Sequence, residues 1–236
     1  MKSIFLLLIL ILLLMYKKKK FSNINYWKKR LKNQNKLLLC IFEDIYNNYL
    51  YNINGLFLTS GTLLGCVRDN NIIPFDDDID LGLYVKNDSE VIEIKNKIKQ
   101  NFKNNTKYKV TDIFFGLQIV DKYNNNQILD IVFYSKKKDT NIIQFYYLEA
   151  RLMWPKEYYL SNEINRFKKG KFNNKIYNIP IGSIPFLKRC YGNDCLKIYR
   201  YSGLHIGFNS KIIDIFNEQI IYILKFLKLN YIKKIY

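Results

Sequence analysis

Histidine occurs once in this 236-residue chain, at His205, and cysteine only at Cys40, Cys66, Cys190 and Cys195. No Cys-x-x-Cys pair is present, and His205 stands far from any cysteine pair of zinc-ligand spacing, which argues against a structural zinc site. Cys190 and Cys195 can bridge if the chain turns at Gly192 in an oxidising compartment; otherwise all four cysteines are free thiols. Acids are also scarce, with 20 Asp and Glu against 38 Lys and Arg and a formal net charge of +18. Such an excess suits an anionic partner: nucleic acid, phospholipid or a phosphorylated substrate. The lysines are scattered, however, and a Lys-, Asn-, Ile- and Tyr-rich composition from an AT-rich genome produces the same charge without any partner. Hydrophobic residues make up 49% and aromatics 16%, which excludes a wholly disordered chain and allows one domain with a sizeable core plus an appendage. No internal repeat is visible.

Long apolar runs are rare. The longest, Ile4 to Met15, lies between Lys2 and the cluster Lys17 to Lys20. It is shorter than the ~17 to 25 residues of most spanning helices. It has the length of a signal-peptide core, but no small-residue cleavage site follows it. Lysines at both ends can snorkel and lengthen the span. The expectation is an uncleaved anchor that meets the membrane through residues 4–16, with a cleaved signal second and a buried helix third. The chain then divides into an anchor with basic flank (1–20), a stalk (21–34) and a folded domain (35–236). The positive-inside rule favours a cytoplasmic position for that domain.

Along the domain, Asn35 to Leu50 carries apolar residues at helical spacing, and Gly55 to Ser60 is a short apolar strand. A Gly-Thr-Leu-Leu-Gly turn follows and opens a helix. Ile79 to Tyr84 alternates as a strand, and Asn87 to Phe102 is helical with Asn87 or Ser89 as its cap. "DIFFGLQIVDKY" and "QILDIVFY" predict two more strands separated by "NNN". Beyond Lys138, Trp154-Pro155, Ile179-Pro180 and Ile184-Pro185 punctuate a region with little pattern, and Ile212 to Tyr231 closes the chain as an amphipathic helix. A sheet-forming middle with helical flanks indicates an α/β or α+β fold built on a mixed sheet.

Against this sparse acidity, "SGTLLGCVRDNNIIPFDDDIDLGLY" (60–84) packs five aspartates into one stretch. Asp78 and Asp80 are two apart at the start of a strand, so both carboxylates face one side while Ile79, Leu81 and Leu83 point into the core. Two carboxylates held together repel, and a hard divalent cation removes the conflict. Asp130, in the apolar setting of "ILDIVF", is costly unless paired with a lysine or metal-bound, and it suits the third position of the same site. Ser60, Gly61 and Thr62 stand at a helix N-terminus, where backbone N–H groups attract phosphate. Gly65 would let that helix pack closely on the sheet. Arg68 can bind phosphate bidentately or pair with a neighbouring Asp. A glycine turn, an Asp-x-Asp opening the next strand and a later lone Asp follow the logic of the nucleotidyltransferase fold.

These residues also carry a resemblance. "GTLLGCVRDNNIIPFDDDIDLGL" closely resembles the signature of the LicD/fukutin family, and "WPKEYYL", "IYNIPIG" and "CYGNDC" are similar to its looser later landmarks. The resemblance covers roughly Asn35 to Arg200. It implies a nucleotidyltransferase-like core and a metal-dependent phosphotransferase of the LicD type. Such an enzyme moves an alcohol phosphate (phosphocholine, ribitol phosphate or similar) from a CDP-activated donor to a glycan hydroxyl and releases CMP. Residue by residue, Asp78 and Asp80 match the metal-binding pair, with Mg²⁺ or Mn²⁺ as the cofactor, Asp130 is the candidate third acid, and Asp76 matches the first acid of the motif, either supporting the metal ligands from behind or contacting the substrate. Members are often single-pass proteins of the Golgi lumen, which agrees with an anchor and opposes the charge-based orientation. The cysteine-rich zinc insert of eukaryotic members is missing. Asp130 is also a candidate base for the incoming hydroxyl, with His205 as the alternative; set among apolar residues, His205 also reads as a core histidine. Two rival readings remain: nucleotide transfer to RNA, supported by charge and tyrosines, and an inactive membrane-tethered glycan-binding protein. The intact acids oppose the second, and the anchor makes nucleic acid the less expected partner.

Overall fold

A computed structural model describes residues 24–73, 76–123 and 126–197. Helix α1 (Ile24–Asn48) starts inside the segment expected as a stalk. From 24 to 48 the chain contains neither proline nor glycine and is rich in Lys, Leu and Asn, so nothing interrupts the helix before Asn48. Its buried stripe of Leu39, Phe42 and Ile45 packs into the core beside the sheet. Strand β1 is only Phe57–Leu58, because helix α2 (Ser60–Asp69) begins directly after Thr59. The expected glycine turn is therefore the first part of that helix. Gly65 packs against the following loop rather than the sheet: a Cβ there would lie 2.5 Å from the Asn71 carbonyl oxygen.

Strand β2 (Ile79–Tyr84) has its predicted bounds. Helix α3 (Asp88–Asn101) is capped by Asn87, whose side chain accepts from the Glu90 N–H at 3.0 Å. The run expected as one strand from residue 112 is split: β3 (Tyr108–Ile113) ends and β4 (Gly116–Asp121) begins around a turn at Phe114 and Phe115. Strand β5 (Gln127–Lys136) follows. The poorly patterned region then supplies β6 (Ile142–Phe145), α4 (Leu148–Met153), β7 (Tyr158–Leu160), α5 (Ser161–Ile164), β8 (Phe167–Phe172), β9 (Lys175–Pro180) and α6 (Ser183–Tyr191).

The main sheet has seven strands in the order β1-β2-β5-β4-β3, with β6 on β5 and β7 on β6. Among the described residues only β2 and β5 run parallel, so the sheet is mixed, as expected from the alternation of elements. Beyond the end of β4, the long β5 takes β6 as its neighbour, with Tyr134 opposite Phe145. Ile79, Leu81 and Leu83 lie beside Leu129, Ile131 and Phe133, and all six are buried. Each such side chain contributes about 1.5–3 kcal/mol when removed from water. This apolar face leaves the alternate residues of β2 and β5 to the other side.

The β8-β9 hairpin turns at Asn173 and Asn174, both with positive φ (46° and 62°), which is the pattern of a tight two-residue hairpin turn. Its Phe172 and Tyr177 pack against Phe42 of α1, with ring centroids 6.4 and 5.3 Å away. Among the described residues all four cysteines are free, including Cys190 and Cys195, and no helix is long and apolar enough to cross a membrane. The apolar run Ile4 to Met15, His205 and the helix expected from Ile212 to Tyr231 lie outside the described residues.

Candidate active site

The parallel register of β2 and β5 sets Asp80 directly beside Asp130, and the antiparallel register of β4 sets Gln118 on the other side of Asp130. Side chains alternate along strands, so Asp80, Asp130 and Gln118 form one row on the face opposite Leu81 and Ile131. Asp78 is the residue immediately before β2. One carboxylate oxygen from each of Asp78, Asp80 and Asp130 lies within 4.8 Å of the others, and Asp76, Asp77 and Asp78 form a second such group. Two amides brace the row. Gln127 Nε2 donates to Asp130 Oδ2 at 2.9 Å and also to Asp78 Oδ2, while Gln118 Nε2 donates to Asp130 Oδ1 at 3.1 Å.

Helix α2 is docked onto Asp80 at three points. The Gly61 N–H donates to Asp80 Oδ2 at 3.1 Å, the Asp80 N–H donates to Thr62 Oγ1 at 2.8 Å, and the Thr59 N–H donates to the Asp80 carbonyl at 3.2 Å. A Cβ at 61 would lie 3.1 Å from Asp76 Oδ2 and 3.5 Å from Asp80 Oδ2, so the glycine lets the start of α2 sit close against both carboxylates. Ser60 has φ 46°, a left-handed conformation that costs a non-glycine residue about 1–3 kcal/mol. Its hydroxyl donates to Glu157 Oε2 at 2.8 Å, which ties the strained residue to the loop before β7.

Crowded acids shift one another. Burial pushes the Asp80 carboxyl well above the ordinary carboxylate range, and Asp78, Asp76, Asp130 and Glu157 push it further. Burial, then Asp78 and Asp77, raise Asp130 to about 8 against the pull of the Gln118 hydrogen bond. Burial raises Glu157 to about 7, opposed by the Ser60 hydrogen bond. Three converging carboxylates, two of which resist ionisation, are a donor set suited to a hard divalent cation such as Mg²⁺ or Mn²⁺.

The structure thus brings Asp78, Asp80 and Asp130 together, with Asp76 and the start of α2 beside them. Thr62 is buried, and its Oγ1 accepts from the Asp80 N–H, which holds the start of β2 against α2. The Gly61 N–H, expected to meet phosphate, meets the Asp80 carboxylate. Arg68 lies in the last turn of α2, where Nε bonds Asp69 Oδ2 at 2.9 Å and Nη1 bonds the Cys195 carbonyl at 3.4 Å. Its side chain is 5% exposed, and the pair with Asp69 is one of the two arrangements expected for it.

Gln118, Gln127, Glu157 and Tyr191 were not singled out by sequence reasoning. Tyr191, at the end of α6, is held in its protonated form by burial and then by Glu157, Asp80, Cys190 and Asp76, which puts its hydroxyl in the same acidic field. Glu157 and Tyr191 stand within "WPKEYYL" and "CYGNDC", where a signal was present. Gln118 and Gln127 had only their place in or beside apolar strands.

Comparison with known proteins follows the same core. The family model described as LicD/FKTN/FKRP, nucleotidyltransferase domain, matches residues 54–190, more than half of the chain. Two curated relatives, uncharacterized proteins of Rickettsia typhi and Rickettsia prowazekii, are 29% and 28% identical over 193 residues. Each alignment covers 78% of this chain but 56% and 66% of the relative, so the chain spans less than two thirds of the length of the curated relatives it matches. A solved structure, ANT(2")-Ia in complex with adenylyl-2"-tobramycin, aligns with TM-score 0.38 and 10% identity over 60% of this chain and 67% of that one.

Proposed function

The chain belongs to the LicD/FKTN/FKRP nucleotidyltransferase-domain family, and from that premise we propose that it is a metal-dependent phosphotransferase. It moves an alcohol phosphate (phosphocholine, ribitol phosphate or a related polyol phosphate) from a CDP-activated donor to a glycan hydroxyl and releases CMP. The observation that carries this reading is the side-by-side placement of Asp80 and Asp130 on parallel strands, with Asp78 completing a group within 4.8 Å. Asp78, Asp80 and Asp130 would hold Mg²⁺ or Mn²⁺. Bound there, such an ion would supply positive charge to offset the negative charge of the donor's phosphates. Gln127 and Gln118 keep the carboxylates aimed at one point, while Ser60, Gly61 and Asp76 border the donor's phosphates from the α2 side. Membrane attachment through residues 4–16, at an endomembrane of the Golgi or ER type, would hold the domain near a glycoconjugate acceptor.

The test uses the full chain in detergent with Mg²⁺ or Mn²⁺ and a panel of CDP-choline, CDP-ribitol, CDP-glycerol and UDP-sugars, following CMP or UMP release. Expected is metal-dependent CMP release from at least one CDP-alcohol, lost with EDTA and in the Asp78→Asn/Asp80→Asn variant. UMP release alone, or nucleotide incorporation into added RNA without turnover of any CDP-alcohol, would overturn the reading.

A further inference from the structure

Helix α2 divides its first two residues between two acids: the Gly61 N–H holds Asp80, and the Ser60 hydroxyl holds Glu157. Glu157 therefore faces the helix end that borders the aspartates, but it arrives from the loop before β7 and is not one of the converging carboxylates. Among the described residues its side chain accepts only from Ser60, through Oε2, and it pairs with no cation. The titratable groups that feel its charge are Asp80 on β2, Tyr134 on β5, Tyr159 on β7, and Cys190 and Tyr191 on α6, all neutral or acidic.

We propose that Glu157 is the proton acceptor of the transfer, oriented by Ser60, with Oε1 receiving the proton of the incoming hydroxyl. This rests on the phosphotransferase reading above. Asp130 is a poor rival for the task. Both of its oxygens take amide hydrogen bonds, and a carboxylate that also ligates a cation has few lone pairs left for a proton. In the step, the acceptor oxygen bonds to the donor's transferred phosphorus as the phosphorus–oxygen bond to CMP breaks. The electron pair of that bond leaves with CMP, the hydroxyl proton converts the Glu157 carboxylate to the acid, and water restores it afterwards. Burial places Glu157 near neutrality, where a base of this kind works best.

The experiment takes the full chain, loaded with Mg²⁺, as wild type, Glu157→Gln and Ser60→Gly. Glycine at 60 deletes the hydroxyl without opposing the positive φ. In Glu157→Gln, kcat for CMP release with acceptor falls about 10²-fold or more, while donor KM and Mg²⁺ affinity by calorimetry stay within about twofold. In Ser60→Gly the acid limb of the pH–rate profile moves to higher pH, because a bond that favours the carboxylate is gone. Carbon NMR of δ-labelled glutamate in the Mg²⁺-loaded protein shows one resonance, absent from Glu157→Gln, that titrates near neutrality. An undiminished kcat in Glu157→Gln, an unmoved acid limb in Ser60→Gly, or titration of that resonance in the ordinary carboxylate range each overturns the assignment. If the wild type turns over no CDP-alcohol, the phosphotransferase reading fails, and the NMR midpoint alone still decides whether Glu157 stands ready as a proton acceptor.

Discussion

Asp130 and Glu157 are both carboxyls pushed up by burial, to about 8 and about 7, yet their surroundings differ in kind. Asp130 sits in a row on the sheet, with Asp80 on the adjoining strand, Asp78 close by and two glutamine amides fixing its oxygens. Among the described residues Glu157 has one hydroxyl donor and no acid of that cluster in hydrogen-bond contact. Repulsion that several acids share is relieved by one divalent ion, whereas a single desolvated acid is relieved by a single proton. On the reading proposed above, the difference separates a cation side from a proton side, with the N-terminus of α2 between them.

The sharpest way to break this comparison is Asp80→Asn. Asparagine keeps an acceptor for the Gly61 N–H but removes the charge that Asp78, Asp76 and Asp130 oppose. We expect metal-dependent CMP release to fall by about 10³-fold, as for loss of a main electrostatic group in other sites. In EDTA, the same variant should melt at a higher temperature than wild type at neutral pH, because the folded state no longer holds a crowded carboxylate. A variant that loses activity and also melts lower in EDTA would show that Asp80 is structural rather than a strained ligand.

A pH series sharpens the same division. Asp80, Asp130 and Glu157 have folded values above the ordinary carboxylate value of about 4, so the folded state retains protons that the unfolded chain has released. Their contribution to stability is fully present below about pH 4 and is lost as pH rises through the folded values, of which Asp130's is about 8. Without divalent ions, the melting temperature of wild type should fall across that window. Asp130→Asn should flatten the fall toward its alkaline end, and Glu157→Gln should flatten the part that ends near pH 7. Saturating Mn²⁺ should restore the Asp portion and leave the Glu157 portion in place. Equal restoration of both would erase the distinction.

The meeting of the aspartates was legible in the sequence because strand periodicity is local. Asp78 and Asp80 flank a buried Ile79, Asp130 stands among apolar residues, and only the pairing of Asp80 with Asp130 required the β2–β5 register. The proton side was not legible. Glu157 reaches Ser60 across 97 residues of sequence, carried by β6 and β7, short strands of four and three residues whose pattern is too brief to read as alternation. The hairpin β8-β9 was hidden for a related reason: its exposed lysines mask the alternation of Phe172, Tyr177 and Ile179. Sequence alone leaves Arg68 between phosphate and a neighbouring Asp; the pair with Asp69 is local, whereas the contact with the Cys195 carbonyl comes from chain 127 residues away and has no local signal.

The smallest effect belongs to the bracing amide. Gln127 Nε2 donates to both Asp78 and Asp130, so Gln127→Leu should leave all three ligands present but free to splay under their own repulsion. Loss of such an outer partner commonly weakens metal binding by about 10–100-fold, and calorimetric Mn²⁺ titration should fall in that interval. The kcat at saturating Mn²⁺ should largely recover, because occupancy replaces the bracing that the amide supplied. The Glu157 resonance should titrate unchanged, since Gln127 touches only the cation side. A shift of that resonance comparable to the change in metal affinity would mean that the two acidic environments form one coupled network, with the start of α2 transmitting charge between them rather than keeping them apart.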